Sequence, residues 1–237
     1  MGWVVECAIA KTNKHASRES GDTAEIVERP GGGISMIAID GQGSGRAAKT
    51  LSSLLAAKAV ALIKDGVRDG AVARAVHDHL FAFRHGQVSA TLDIVSVDFR
   101  SRSVLVTRNA AAPLVIGRGE LFETAPCVAD PIGLFPLNRP AVWELPLEDR
   151  LLIVVGTDGI ASSGRRSGMA DFDVTGATRE LNVASVPISI LADGILAAAV
   201  ARDEGWPADD MTVLVLGVRV DEAGAPIRRM TATIGQA

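Results

Sequence analysis

The chain has 237 residues, of which 48% are apolar, and a formal net charge of −4. That length holds one large domain or two small ones, and the apolar fraction favours a packed core over disorder. The acidic balance argues against a nucleic-acid binder, which would show a basic face, and the longest apolar runs, such as Ile195 to Ala201, are too short to span a bilayer.

The first segment, 2–10, alternates loosely and reads as a strand. Its start lacks the basic and apolar stretches of a secretory signal. Glu6 stands where a myristoylation match at Gly2 would need Ser or Thr. Cys7 and Cys127 are too few and too far apart for a metal knuckle or a disulfide framework. Both read as buried small hydrophobes of a chain that resides in the reducing cytoplasm.

A polar stretch with Arg18, Glu19, Ser20, Gly21 and Asp22 leads to a second strand at 23–29. The run Gly31-Gly32-Gly33 then turns the chain into GISMIAID, a strand ending at Asp40. From Arg46 to Lys64, Ala47, Leu51, Leu54, Leu55, Ala59 and Leu62 recur at helical spacing, and Asp65-Gly66 stops the helix. A second helix, Asp69 to Phe83, places Val72, Ala75, Val76, Leu80 and Phe83 on one stripe. Short strands follow at 90–99, 102–108, 112–117, 120–125, 141–146 and 150–157. A helical stretch at 187–204 precedes a final buried strand, MTVLVLGVRV, at 211–220. With no Tyr, three Trp and six Phe, the core must be built from Val, Ile, Leu and Ala. There is no internal repeat: residues 1–220 read as one domain and 221–237 as a ragged tail. Long helices between β-rich segments with hairpin-length connections indicate an α+β fold of antiparallel sheets covered by helices, not βαβ crossovers.

Carboxylates recur at the strand ends. Asp22 precedes one strand, Asp40 and Asp158 end two others, and Asp209 with Asp210 opens the last. A carboxylate at a strand terminus is rigidly aimed yet clear of the sheet interior. Several converging on one edge would repel one another unless hard divalent cations such as Mg²⁺ or Mn²⁺ neutralised them. Any single Asp-Gly is more often a plain turn; the set, each abutting an apolar strand, favours a metal site. Gly41 lets its own carbonyl approach a cation, while Gly43 and Gly45 permit a tight turn into the helix.

These residues carry a family resemblance. SGD at 20–22, DGQGSGRAA at 40–48, TDG at 157–159 and DDMT at 209–212 resemble, in order and spacing, the metal-dependent type 2C serine/threonine phosphatases, most closely their bacterial SpoIIE-like branch. DRLLIVVGTDGI and TRNAAAPLVI are similar to further pieces of that branch, so the likeness runs from about Val4 to Val220. The resemblance implies a four-layer α-β-β-α sandwich with two cations, Mn²⁺ or Mg²⁺, in a cleft at one end of the sheets. Carried over by position, Asp40 bridges the cations and the Gly41 carbonyl binds one of them. Asp158 and Asp209 complete the site, and Asp22 acts directly or through water. Asp209 is preferred over Asp210 because the first acid of DDMT matches the family's ligand. A hydroxide activated by both cations would then attack phosphoserine or phosphothreonine without a phosphoenzyme. Asp40 and Asp158 are accordingly the residues assigned to catalysis.

The chain departs from the pattern at Ser44, where many relatives carry the His thought to protonate the leaving alkoxide; Ser44 cannot do so near neutral pH. Arg18 lies near the phosphate-binding Arg of some relatives, but reads as a solvated loop residue. His77 and His79 read as surface positions, His15 and His85 as loop residues, and Asn109 as a turn residue. Asp93 either lines the cleft or faces an edge. Arg165-Arg166 reads as a solvated pair, or as a contact for a phosphorylated partner.

A dinucleotide fold is disfavoured because Arg46 occupies the sixth place of the glycine pattern and Asp40 would repel a pyrophosphate. A cysteine phosphatase is excluded because no Arg stands six residues after either Cys. The remaining alternative is a weakly active or inactive relative that binds phosphoproteins. The expected partner is a phosphorylated protein such as a STAS-domain regulator, with no nucleic acid and no membrane. No sensor or receiver segment is expected ahead of the domain.

Overall fold

The computed structural model describes residues 2–126, 129–182, 186–221, 230 and 232–233. The expectation for Cys127, and all but the first residue and three isolated ones of the expected tail, lie outside these. Among the described residues, ten strands form two five-stranded antiparallel sheets. In one, β1 (Gly2–Thr12), β10 (Met211–Asp221), β9 (Leu151–Gly156), β6 (Leu114–Arg118) and β7 (Leu121–Ala125) lie side by side in that order. In the other the order is β2 (Asp22–Glu28), β3 (Ile34–Gly41), β4 (Ala90–Asp98), β5 (Ser103–Asn109) and β8 (Ala141–Pro146).

The central strands are apolar on both faces because each is covered twice. On β3, Met36 and Ala38 face the opposite sheet, while Ile37 and Ile39 pack under helices α1 (Gly45–Lys64) and α2 (Asp69–Arg84). On β10, Leu214 and Leu216 enter the core between the sheets, while Met211, Val213 and Val215 meet α5 (Ile188–Arg202). The result is the expected α-β-β-α sandwich, its three apolar layers made almost wholly of Val, Ile, Leu and Ala. Burying each such side chain contributes about 1.5–3 kcal/mol.

Among the described residues, two α-helices have no counterpart in the sequence reading. The short α3 (Asp158–Ala161) follows β9 directly, and α4 (Val174–Leu181) is started by Asp173, whose carboxylate accepts from the Gly176 amide at 2.8 Å. The helical stripes are also rotated from expectation. α2 buries Ala73 and His77 with Val72, Val76 and Leu80, leaving Phe83 half exposed beneath the Arg84 guanidinium. His77 is therefore a core residue, not a surface one, and its Nδ1 accepts from the Gly133 amide at 3.1 Å. Cys7 is half-buried on edge strand β1, its thiol pushed up to about 12 by burial and by the neighbouring Glu6, which makes it a poor nucleophile. Among the described residues no helix is long and apolar enough to cross a membrane.

Candidate metal centre

Antiparallel pairing brings four strand ends to one end of the sandwich. β2 and β3 pair so that Asp22 lies directly opposite Asp40, and the β9–β10 pair places Gly156 opposite Val213. Asp158 begins α3 just beyond β9, and Asp209 stands two residues before β10. Asp40, Asp158 and Asp209 line one cavity of about 270 Å³, together with Gln42, Ser89 and Thr91.

Two glycines permit this approach. A Cβ on Gly41 would stand 2.6 Å from the Ala48 carbonyl oxygen of α1, and one on Gly159 would stand 2.0 Å from the Asp210 carbonyl oxygen. The backbone next to Asp40 and the backbone next to Asp158 are thus both packed against a main chain that leaves no room for a side chain.

Asp22, opposite Asp40 in the β2–β3 pair, is 1% exposed. Its Oδ2 accepts from the Thr212 hydroxyl at 2.6 Å and from the Thr157 hydroxyl at 3.2 Å. Its Oδ1 is buried with no hydrogen-bond partner. The ammonium groups of Lys11 and Lys49 both donate to its main-chain carbonyl, at 2.8 and 2.9 Å. Burial pushes the Asp22 carboxyl up to about 6, against the pull of the two threonine hydroxyls. Asp40 is pushed up to about 9, by burial first and then by the charges of Asp22, Asp158 and Asp209. Asp209 is also raised, chiefly by burial.

The adjacent Asp210 does different work. Buried, it accepts from the Lys14 amide at 2.8 Å and the Gly21 amide at 2.7 Å, tying the β1–β2 loop to the start of β10. That leaves Asp209 as the acid of the pair on the cavity wall.

The donor set suits hard divalent cations. It is all oxygen, it concentrates negative charge in a partly buried space, and it includes a buried carboxylate oxygen with no donor. Among the described residues, no three His, Cys, Asp or Glu side chains stand close enough to form a ready-made cage. Asp40, Asp158 and Asp209 nevertheless line one common space.

The sequence pattern of the SpoIIE family, Stage II sporulation protein E, matches residues 30–219. The chain belongs to the SpoIIE family. The solved structures with its fold include the PP2C phosphatase domain, with a fragment of the regulatory domain, of the cell fate determinant SpoIIE from Bacillus subtilis. That match has 20% identity and a TM-score of 0.80, covering 92% of this chain and 63% of that one. The chain thus spans less than two thirds of that structure. The RsbU and RsbW domains of a Mycobacterium tuberculosis protein match at 18% identity and a TM-score of 0.75, covering 91% of this chain and 61% of that one. RsbX in complex with magnesium matches at 12% identity and a TM-score of 0.68, covering 90% and 95%. No curated protein matches the chain.

On this SpoIIE-family frame the other sequence candidates separate. Asp93 faces the space between the sheets and is ion-paired with Arg108, and both side chains are buried. Asn109 is a buried tether, not a turn residue: its amide donates to the Asp130 carbonyl at 3.0 Å and to Asn138 Oδ1 at 2.5 Å. Arg18 is exposed. Arg165 makes a two-pronged ion pair with Asp171, and Arg166 donates to the Ala208 carbonyl at 3.1 Å. His15 sets its ring edge against Trp206, and His85 caps α2 in a left-handed conformation. Sequence reasoning missed Thr157 and Thr212, although both sit inside the TDG and DDMT motifs, and it missed Arg108. The signal available for Arg108 was an unpartnered Asp93 in an apolar strand, which demands a buried cation.

Proposed function

We propose that the chain is a metal-dependent protein phosphatase that hydrolyses phosphoserine and phosphothreonine. Asp40, the Gly41 carbonyl, Asp158 and Asp209 would hold two divalent cations, Mn²⁺ or Mg²⁺, with Asp22 acting behind Asp40 directly or through water. The observation that carries this reading is the meeting of Asp40 from one sheet with Asp158 and Asp209 from the other on the walls of one cavity. When bound, the cations supply charge neutralisation and an acidified water for in-line displacement at phosphorus.

The chain's own residues set the geometry. The Thr157 and Thr212 hydroxyls hold Asp22 Oδ2, which leaves Oδ1 as the oxygen free to act toward the site. The backbone contacts at Gly41 and Gly159 fix the segments bearing Asp40 and Asp158. Gln42 Oε1 accepts from the Ser89 amide at 2.8 Å and so braces the cavity mouth. Ser44, which caps α1 without a side-chain hydrogen bond, offers no acid near neutral pH, so the leaving alkoxide takes its proton from solvent water. The substrate class proposed is a phosphorylated bacterial signalling regulator such as a STAS-type protein. It is supported by the SpoIIE-like motifs and by the likeness to the RsbU and RsbW domains.

The test is hydrolysis of p-nitrophenyl phosphate and of a phosphoserine peptide in EDTA and with added Mn²⁺ or Mg²⁺. The wild type is compared with Asp40→Asn and Asp158→Asn. Activity that requires metal and drops at least about a hundredfold in both variants is expected. A folded protein inactive with every metal would replace this reading with that of a phosphoprotein-binding module.

A further inference from the structure

A second cavity, of about 160 Å³, adjoins the acidic one and shares Thr91, Pro131 and Asp158 with it. Its walls are largely aliphatic: Ala110, Ala111 and Ala112 from the β5–β6 turn, with Ala129. An alanine ends at Cβ, so four of them hold open a space that longer side chains would fill.

The base of this recess is polar but satisfied. Asp93 is neutralised by the Arg108 guanidinium, which binds it through Nε and, at 3.3 Å, through Nη2. Arg108 Nη1 also donates to the Ala112 carbonyl at 2.7 Å. One buried cation therefore cancels the charge under the recess and pins the alanine turn that walls it. A wall fixed in advance need not be ordered when something binds, which favours selectivity. Apart from Asp158, which the phosphatase reading commits to the cations, the walls offer an entering charge no carboxylate that is not already paired, whereas an aliphatic side chain would exchange water for alanine and proline contacts.

We infer that this recess is a specificity subsite for the aliphatic side chain of the residue next to the phosphoserine or phosphothreonine. The inference rests on the phosphatase reading, which places the phosphate in the acidic cavity. Consecutive Cα atoms lie about 3.8 Å apart, so a neighbouring side chain falls within reach of an adjoining space when the phosphate is bound. The shared walls at Thr91, Pro131 and Asp158 make the two spaces continuous.

The experiment measures kcat/KM on phosphoserine peptides that differ only before or after the phosphoserine, with Val or Leu against Gly and Lys. The proteins are wild type, Ala111→Leu and Ala129→Leu, with p-nitrophenyl phosphate as a size-independent substrate for the wild type. Both line the recess, and Ala111 is exposed and Ala129 half-buried, so a leucine at either adds bulk at its wall without displacing the core. The wild type is expected to prefer the aliphatic neighbour on one side by about tenfold, with the ratio falling toward one in both variants. Hydrolysis of p-nitrophenyl phosphate and of all peptides without an aliphatic preference overturns the subsite alone, as does a preference unchanged in both variants. No hydrolysis of any substrate with metal overturns the phosphatase reading and the subsite together.

Discussion

Thr212 and Asp22 belong to opposite sheets, yet the threonine hydroxyl donates to Asp22 Oδ2 at 2.6 Å in the interior of the protein. Thr157 donates to the same oxygen, and its own hydroxyl accepts from the Thr212 amide at 3.0 Å. Three of the four motifs that mark the site thus meet at a single carboxylate oxygen, which couples the two sheets where the acidic cavity forms.

Thr212→Val keeps the shape of the side chain and deletes the donor. Leaving a buried carboxylate short of a hydrogen bond costs about 1–3 kcal/mol, read by urea unfolding. The variant should also need roughly tenfold more Mn²⁺ for half-maximal activity, as expected when the partner of a ligand-orienting group is removed. Thr212→Ser, which retains the hydroxyl, should stay close to wild type in both measurements. If the valine variant binds metal normally, Asp22 plays no part in holding it.

The metal-free protein should be less stable in mild alkali than in mild acid. Folding pushes Asp40 up to about 9 and Asp22 up to about 6, whereas an unperturbed aspartate titrates at about 3.9. The folded state therefore holds these protons more tightly than the unfolded chain. That stabilisation is complete below about pH 4. It is lost as the pH rises through the Asp22 value near 6 and the Asp40 value near 9. Melting in EDTA should shift downward from pH 5 to pH 9, and Asp40→Asn should remove most of that slope. Saturating Mn²⁺ or Mg²⁺ should flatten the wild-type profile, because cations take over the neutralisation. A pH-independent melting temperature in EDTA would contradict the clustering of these charges.

Much of this was legible beforehand, and the reasons are local. β3 and β10 announce themselves because strands covered on both faces are continuously apolar, and the aspartates stand at their ends. The apolar spacing of α2 predicts a stripe through Ala75 and Phe83, whereas the helix is turned so that Ala73 and His77 face inward. Apolar spacing alone allows either rotation, and burial of His77 depends on the Gly133 amide, 56 residues away in sequence. α4 was hidden because its sequence, VTGATREL, mixes Thr and Gly, poor helix formers, and it buries only Val174, Thr175 and Thr178. The Asp93–Arg108 pair and the threonine bonds to Asp22 join distant segments, and no window along the chain contains them.

Gly159→Ala should injure activity more than stability. The added Cβ would lie 2.0 Å from the Asp210 carbonyl oxygen and 3.4 Å from the Asp209 Cβ. Main chain cannot swing aside as a flexible side chain would, so the start of α3 and the segment before β10 must separate. Overpacking of this kind costs about 1–3 kcal/mol. The same separation moves Asp158 away from Asp209, and a shift on the order of 1 Å at a catalytic centre can cost about a hundredfold in rate. Thermal unfolding and metal-saturated kcat, measured where the variant is fully folded, distinguish the two losses. A stable variant with normal kcat would show that these two aspartates need not be held together.

Ser44→His offers the reverse test, a gain. Ser44 is exposed, has extended backbone geometry and makes no capping bond, so replacing it removes no contact that the helix uses. Gly43 and Gly45, at φ of +99° and +66°, shape the turn on either side and are untouched. An imidazole there would add an acid that titrates near neutrality beside a site whose aspartates bound cations would hold in their charged form. Such an acid contributes about a hundredfold where the leaving group is a poorly stabilised alkoxide, as in phosphoserine. The nitrophenolate of p-nitrophenyl phosphate leaves without a proton and gains nothing. The ratio of peptide to p-nitrophenyl phosphate turnover should therefore rise in Ser44→His and fall again as the pH passes about 6.5, where the imidazole loses its proton. An unchanged ratio would mean that position 44 does not face the leaving group, and that the slow step is not protonation of the alkoxide.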